Sequence, residues 1–363
     1  MKSTGIHTWG QSGEHPGHLL KKSPGCPHGD GKMSAAVRHS NKKITVRKEG
    51  VVQMSVFIVP NISKIFIDGL SITLPIGSKA EENAIIKCFK EKELLDSWGY
   101  TGTHKKGYDY YAYPIVNEAT DDKLFLQCSP SSGQKNFFRI EFNPSKVDMS
   151  EVRILMNQLL AGGYKQLVEY GRITRVDVAF DASRISPHQL LFHVPQFSIG
   201  KCYYKSGNVQ SVYLGCDESE NQYVVYDKNA HIQYNNQKKK EKFKAPVPVH
   251  GLTRIEYRYR PDKPFMLKEL LTIKNPFNNL KLTAYPQSLV SKDSLFRLLL
   301  AVSRFQGMNQ ALLNIAKHDR PKYIKLLINS GKTAWYKPDT IWESFSAAVY
   351  KLVHPYEYLL TTE

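Results

Sequence analysis

The chain has 363 residues, 41% of them hydrophobic, enough to bury a substantial core and to fill two folded units rather than one. Fifty Lys and Arg against 33 Asp and Glu leave a formal charge of +17, so the expected partner is a polyanion: nucleic acid first, with an anionic membrane surface as the competitor. The chain has no apolar run long enough to span a bilayer and no apolar core of a secretory signal. Five scattered cysteines without a CxxC pair exclude a disulfide framework and a standard zinc site, and fit reduced thiols in a cytoplasmic protein.

Residues 1–55 are rich in Gly, Pro, His and Lys with little apolar periodicity, and read as a disordered basic extension. Residues 56–265 carry the patterned segments of an α+β domain. Lys64 to Pro75 reads as a strand, bulged near Gly69 and stopped by Pro75. Ala84, Ile85, Cys88, Phe89 and Leu95 recur at helical spacing, so a helix is expected over Lys79 to Trp98. Strands follow over Tyr108 to Val116, Lys123 to Cys128 and Asn136 to Phe142, then a second helix over Ser150 to Tyr170 with Ser150 as N-cap.

Next come Thr174 to Asp181 as a strand, a short helix capped by Ser186, and strands near Gly200 to Tyr204 and Gln210 to Leu214. Tyr223 to His231 and Thr253 to Arg260 complete the patterned region. Strands and helices mix without regular βαβ repetition, so the expected fold class is α+β: an antiparallel β-sheet core with flanking helices. Residues 266–363 turn helical over Ser294 to His318, Pro321 to Asn329 and Thr340 to Val353, and are expected to form a smaller helical C-terminal domain. Arg297, Arg304, Lys317, Arg320, Lys322 and Lys325 give it a basic face, either solubilising or DNA-contacting.

Side chains two apart on a strand share a face, so Asp177 and Asp181 point one way while Val176, Val178 and Phe180 point to the core. The same alternation puts Arg254, Glu256, Arg258 and Arg260 on one face of the last strand, and Arg139, Glu141 and Asn143 on one face of Phe138 to Pro144. Oxygen-only ligands of this kind suit a hard cation, Mg²⁺ or Mn²⁺, which would act as a Lewis acid on phosphate oxygens. A plain solvated sheet face is the competing reading of each strand alone.

Tyr223 to Asp227 reads as a strand that ends at the polar step Asp227-Lys228-Asn229 and enters a Lys- and Gln-rich helix. Tyr226 then sits at the strand end, where it can project into an open site. A tyrosine hydroxyl with a pKa near 10 needs help to act as a nucleophile. A metal-polarised phosphate and the Lys228 ammonium would supply it, by stabilising the phenolate and the charge building on phosphorus. Tyr223 and Tyr234 remain alternatives on sequence grounds.

The ordered segments TRVDVAFD, YVVYDKNAH and TRIEYRYR, with Arg139 to Val147 and Ile67 to Pro75, together resemble the rolling-circle replication initiators of filamentous phages, the gene II proteins. They are also similar to the trans-acting initiators of small rolling-circle plasmids. The likeness covers short islands over residues 64–260. It implies an enzyme of a bacterial host cell that nicks one DNA strand at a replication origin, stays joined to the 5′ phosphate through a tyrosine, and rejoins the strand. By motif position the nucleophile falls on Tyr226 with Lys228 beside it, and the acidic residues on Asp177, Asp181 and Glu256, with Glu141 as a further candidate. The implied partner is origin DNA, single-stranded or supercoiled, with a host helicase as a candidate second partner and no membrane. Arg175, Arg254, Arg258, Arg260, Lys238, Lys239 and Lys240 are the expected DNA contacts. Val224 stands where the plasmid initiators carry an arginine, and no His-x-His pair occurs in the chain. A non-catalytic nucleic-acid-binding protein, with Tyr108, Tyr110, Tyr111 and Tyr113 as stacking residues, and a metal nuclease using water are the alternative functions.

Overall fold

The structure is a computed structural model that describes residues 60–91, 101–117, 121–131, 136–197, 200–239, 241–285, 293–330 and 333–354. The basic extension expected over 1–55, Lys240 and residues 92–98 lie outside the described residues, and the helix expected to run from Lys79 to Trp98 instead ends at Lys90, where Glu91 turns extended. Among the described residues, no helix is long and apolar enough to cross a membrane.

Period-two alternation gives fifteen strands among the described residues. In chain order these are β1 (Phe66–Pro75), β2 (Thr101–Lys105), β3 (Tyr108–Ala112), β4 (Ile115–Asn117), β5 (Asp122–Lys123), β6 (Phe125–Pro130), β7 (Phe137–Phe142) and β8 (Arg172–Ser183). Then follow β9 (Leu190–His193), β10 (Gly200–Lys205), β11 (Asn208–Leu214), β12 (Asn221–Asp227), β13 (Leu252–Tyr259), β14 (Phe265–Met266) and β15 (Lys281–Ala284). The main sheet runs β10-β11-β12-β13-β8-β1-β7-β6-β3-β2, with β14 pairing the start of β8. Each neighbouring pair in it is antiparallel, so the α+β antiparallel core read from the sequence is the observed fold.

The helices are α1 (Lys79–Lys90), α2 (Met149–Leu159), α3 (Gly163–Tyr170), α4 (Lys228–Lys238), α5 (Ser294–Gln306), α6 (Met308–Leu313), α7 (Arg320–Ser330), α8 (Pro338–Trp342) and α9 (Phe345–Val353). Two long helices expected from the sequence are broken, and glycine is the reason in both. The stretch ending at Tyr170 divides at Gly162-Gly163, where Gly163 takes φ +61°, a left-handed conformation costly for other residues. Its first half is capped by Asp148, which accepts from the Ser150 backbone N–H at 2.9 Å, rather than by Ser150. The stretch from Ser294 divides at Gly307, φ +81°. The strand expected over Tyr108 to Val116 splits at Tyr113-Pro114, because proline has no N–H to give a sheet ladder.

One face of the sheet is apolar. Register sets Leu70, Ile72 and Leu74 of β1 against Phe142, Ile140 and Phe138 of β7, and Val178 and Phe180 of β8 against Tyr257 and Ile255 of β13. All are buried. Helix α1 covers β3 and β6, and α3 and α9 cover β1.

The residues after 265 are not helical throughout and serve two cores. Ile341, Phe345, Val349 and Leu352 of α8 and α9 join the sheet core, with Phe345 stacked on Trp342 at 4.1 Å between ring centroids. Leu191 of β9 instead joins α5, α6 and α7 in a separate cluster around Phe296, Leu300, Leu312 and Leu327. Replacing Phe345 by Ala is expected to cost about 3–5 kcal/mol. Urea titration followed by both far-UV dichroism and tryptophan fluorescence checks this; an unchanged midpoint would show that α9 is not part of the core.

Candidate functional site

The opposite face of the same strands is charged, and sheet register decides which groups meet. Across β12, β13 and β8, Tyr226 stands opposite Arg254, and Arg254 opposite Asp181. One step down, Glu256 is opposite Val224 and Ala179; a further step down, Arg258 is opposite Gln222 and Asp177. Beyond β8, Ser71 of β1 lies between Arg175 and Glu141. The three carboxylate-bearing strands therefore share one face within five consecutive strands, with β8 beside β13 and β7 one strand further on.

Arg254 is the centre of this face. Its Nε and Nη2 donate to Asp181 Oδ1 and Oδ2 at 2.7 and 2.8 Å, and its Nη1 donates to Asp68 Oδ1 at 2.7 Å. The guanidinium also lies 4.6 Å from the centroid of the Phe66 ring. Asp68 accepts a second bond, 2.8 Å, from Asn143 Nδ2. Sequence alternation missed Asp68, because β1 carries a register shift between Ile67 and Gly69 that inserts this residue as a bulge. The signal was present in the expected break near Gly69. A Cβ on Gly69 would come within 2.7 Å of Asp177 Oδ2, so the bulge also makes room for that carboxylate.

Tyr226 is half-buried at the end of β12. Asp227 then caps α4 by accepting from Ala230 N–H at 3.1 Å, which sets Lys228 as the first helical residue. The Lys228 Nζ lies 5.7 Å from the Tyr226 ring centroid, and the His231 ring meets Tyr226 edge-on at 5.4 Å. Tyr223 is on the apolar face, 2% exposed, and donates its hydroxyl to the Pro276 carbonyl at 2.7 Å. Tyr234 lies further along α4, with Lys238 Nζ 4.3 Å from its ring centroid. Of the three tyrosines considered, Tyr226 is the one brought to the charged strands.

Burial and charge act in opposition here. Burial would raise the Asp68 pKa, but Arg254 and Lys228 hold it below the usual carboxylate range. Burial, reinforced by Arg254, pushes Lys228 down to about 8. Burial, reinforced by Lys228, drops His231 to about 4, so its imidazole is neutral at physiological pH. Tyr226 is raised by burial and then by the carboxylates of Glu256, Asp68 and Asp181, so it is a neutral phenol. Glu256, 3% exposed, is raised by burial against the pull of Arg258, with Asp177 and Asp68 adding to the rise.

The acidic residues expected to gather around an ion are each taken by an arginine. Asp177 accepts from Arg175, Asp181 from Arg254, Glu256 from Arg258, and Glu141 from Arg139 at 2.9 Å. Glu141 stands apart from the others across β1, near Lys106. Among the described residues, no group of three or more His, Cys, Asp or Glu side chains is placed to hold a metal. As arranged, the carboxylates do not fit Mg²⁺ or Mn²⁺, since guanidinium N–H groups occupy the lone pairs an ion would use.

The same pairing changes the reading of the expected DNA contacts. Arg254 and Arg258 are 7% exposed and committed to carboxylates, so they order the face rather than reach outward. Arg175 is half-buried on Asp177. Lys238 is exposed at the far end of α4, about 15 Å along the helix from Lys228 at 1.5 Å per residue, and Lys239 follows it. Across the sheet from Tyr226, a cavity of about 620 Å³ is lined by Tyr223, Tyr257, Tyr259 and Phe265.

No protein-family model matches the chain, and no curated protein matches it. A solved structure described as a rolling-circle replication initiator protein from Geobacillus stearothermophilus is similar over 64% of this chain and 90% of its own, at 15% identity and a TM-score of 0.36. That likeness is too slight to assign a family.

Replacing Arg254 by Ala leaves half-buried Asp68 and Asp181 without this counter-ion and is expected to cost about 2–3 kcal/mol, below the range for fully buried pairs. Arg254→Lys should recover only part of this, because an ammonium cannot span three carboxylate oxygens. Thermal denaturation of the two variants checks the order, and equal stability of Arg254→Ala and wild type would refute it.

Proposed function

We propose that the chain is a DNA nicking and joining enzyme that initiates rolling-circle replication, with Tyr226 as its nucleophile. The observation that supports this most is the single row formed by Tyr226, Arg254 and Asp181, with the Lys228 ammonium over the Tyr226 ring. It puts a nucleophile and two cations at the end of a rigid strand on a strongly basic protein.

In this reading the Tyr226 oxygen attacks a backbone phosphorus. The new O–P bond forms as the bond from phosphorus to the 3′ oxygen breaks, leaving a 5′-phosphotyrosine and a free 3′ hydroxyl that takes its proton from water. Tyr226 starts as a phenol and must lose its proton. Glu256 is the carboxylate whose charge bears most on Tyr226, and burial raises its own pKa, which suits a proton acceptor. Lys228 offsets the charge that builds on phosphorus and on the phenolate. The phosphotyrosine keeps the energy of the broken linkage, so the reverse attack by a 3′ hydroxyl rejoins the strand without a high-energy cofactor. Lys238 and Lys239 would meet the DNA backbone beyond the site.

Mg²⁺ or Mn²⁺ at the expected ligands Asp177, Asp181, Glu256 and Glu141 would require these carboxylates to give up their arginine partners.

Incubation with labelled single-stranded or supercoiled DNA, followed by a denaturing protein gel, tests the proposal. Label should transfer to wild type and not to Tyr226→Phe. Cleavage without an adduct would mean that water is the nucleophile, and binding without cleavage a non-catalytic protein. Running the assay with a chelator and then with added Mg²⁺ or Mn²⁺ decides whether an ion is needed.

The Lys228 pKa also predicts a pH dependence. Below about pH 8 the ammonium is charged and the nicking rate is sustained; above it the charge is lost and the rate should fall. Lys228→Arg, which stays charged, should remove the alkaline fall, and a fall that survives this substitution would exclude the assigned role.

A further inference from the structure

Three arginines converge on the charged face at the end of β13 away from Tyr226, and the carboxylates there cannot serve all of them. Arg175 donates through both Nε and Nη2 to Asp177, and Arg258 donates through Nε to Glu256. The nearby Asp217 is taken by Lys201 at 3.0 Å and by the Gln222 side-chain amide at 2.9 Å. Arg260, two residues past Arg258 and on the same face by alternation, is left over. Its Nε and Nη1 are buried with no hydrogen-bond partner.

A guanidinium nitrogen shut away from water without an acceptor is costly, and a cationic one more so. The surroundings worsen this: burial and then the Arg175 and Arg258 charges outweigh the pull of Asp177 and Asp217 and lower the Arg260 pKa to about 10. The charge count is simple. Three arginines share two carboxylates, Asp177 and Glu256, and each of these already accepts from another arginine, so half-buried Arg260 has no carboxylate of its own. An oxyanion with several acceptor oxygens would satisfy both the orphaned N–H groups and the charge.

We infer that Arg260, with Arg175 and Arg258 around it, forms a phosphate-binding subsite that holds a second backbone phosphate of the DNA strand attacked by Tyr226. This rests on the nicking reading for the identity of the strand, but not for the existence of the anion site. Arg258 is four residues along β13 from Arg254, about 14 Å at 3.4 Å per residue. The phosphate at Arg260 is therefore not the scissile one, and it would fix the direction in which the strand crosses the sheet. Such a contact positions the strand without reading its bases.

The test uses the full chain, wild type and Arg260→Gln, with two probes. The first is inorganic phosphate: thermal denaturation in phosphate against chloride at matched ionic strength. Wild type should be stabilised by phosphate, whereas Arg260→Gln should melt at the same or a higher temperature than wild type in chloride and gain nothing from phosphate. An arginine with a purely structural role would lower the melting temperature in chloride, and that result overturns the site.

The second probe is an oligothymidylate. Arg260→Gln should weaken binding about tenfold, the scale of one charge-assisted contact. It should also make the slope of log affinity against log salt shallower by about 0.7, the value for one lost phosphate contact on a single strand. Arg260→Lys should keep most of the slope. Phosphate stabilisation that depends on Arg260 while oligothymidylate binding does not would leave a site for free phosphate and overturn its assignment to the DNA strand. Tyr226→Phe separates the two proposals: loss of its covalent adduct with an unchanged Arg260 effect supports both, and an adduct that survives Tyr226→Phe sinks the tyrosine assignment while the Arg260 result stands.

Discussion

The bridge from Arg254 to Asp68 and Asp181 is the constraint on which the charged face depends. One planar donor satisfies three carboxylate oxygens drawn from two strands, β1 and β8, while itself belonging to a third, β13. Three strands are thereby held in one register by side chains as well as by backbone ladders. Tyr226 and Lys228 take their places from this arrangement, since Tyr226 faces Arg254 across the next ladder.

Burying so many charges is tolerable only because they alternate in sign across the sheet. Asp177, Asp181 and Glu256 each meet a guanidinium, and the adjacent apolar face is packed with Leu, Ile, Val and Phe that provide the favourable burial. A low local dielectric then magnifies each remaining imbalance. Burial first, and neighbouring charges second, lower Lys228 and His231 and raise Tyr226 and Glu256.

Much of this was legible in the sequence because strand alternation is a local property. Asp177 and Asp181, or Glu256 and Arg258, declare their common face without knowledge of the fold. Which strands are neighbours is not local, and neither is the identity of the partner that each charge finds. Arg254 and Arg258 read as outward-facing DNA contacts because nothing in TRIEYRYR shows that β8 supplies Asp181 opposite Arg254. Asp68 escaped for the opposite reason: a bulge changes the phase of β1, so a residue that strict alternation assigns to one face emerges on the other. The broken helices were readable in principle, since Gly162-Gly163 and Gly307 were visible, but a lone glycine inside an apolar pattern does not reveal a positive φ.

The backbone N–H of Ile65, at the entrance to β1, donates at 2.8 Å to the hydroxyl of Ser344, which immediately precedes α9 and lies 279 residues away in sequence. During synthesis this tether must wait for the 279 residues that separate its two ends, because domains assemble as their parts leave the ribosome, from the N-terminus onward. Asp68 sits three residues beyond Ile65. The strand that presents it therefore gains this anchor only after Ser344 has left the ribosome, and the start of β1 relies on its backbone ladders until then.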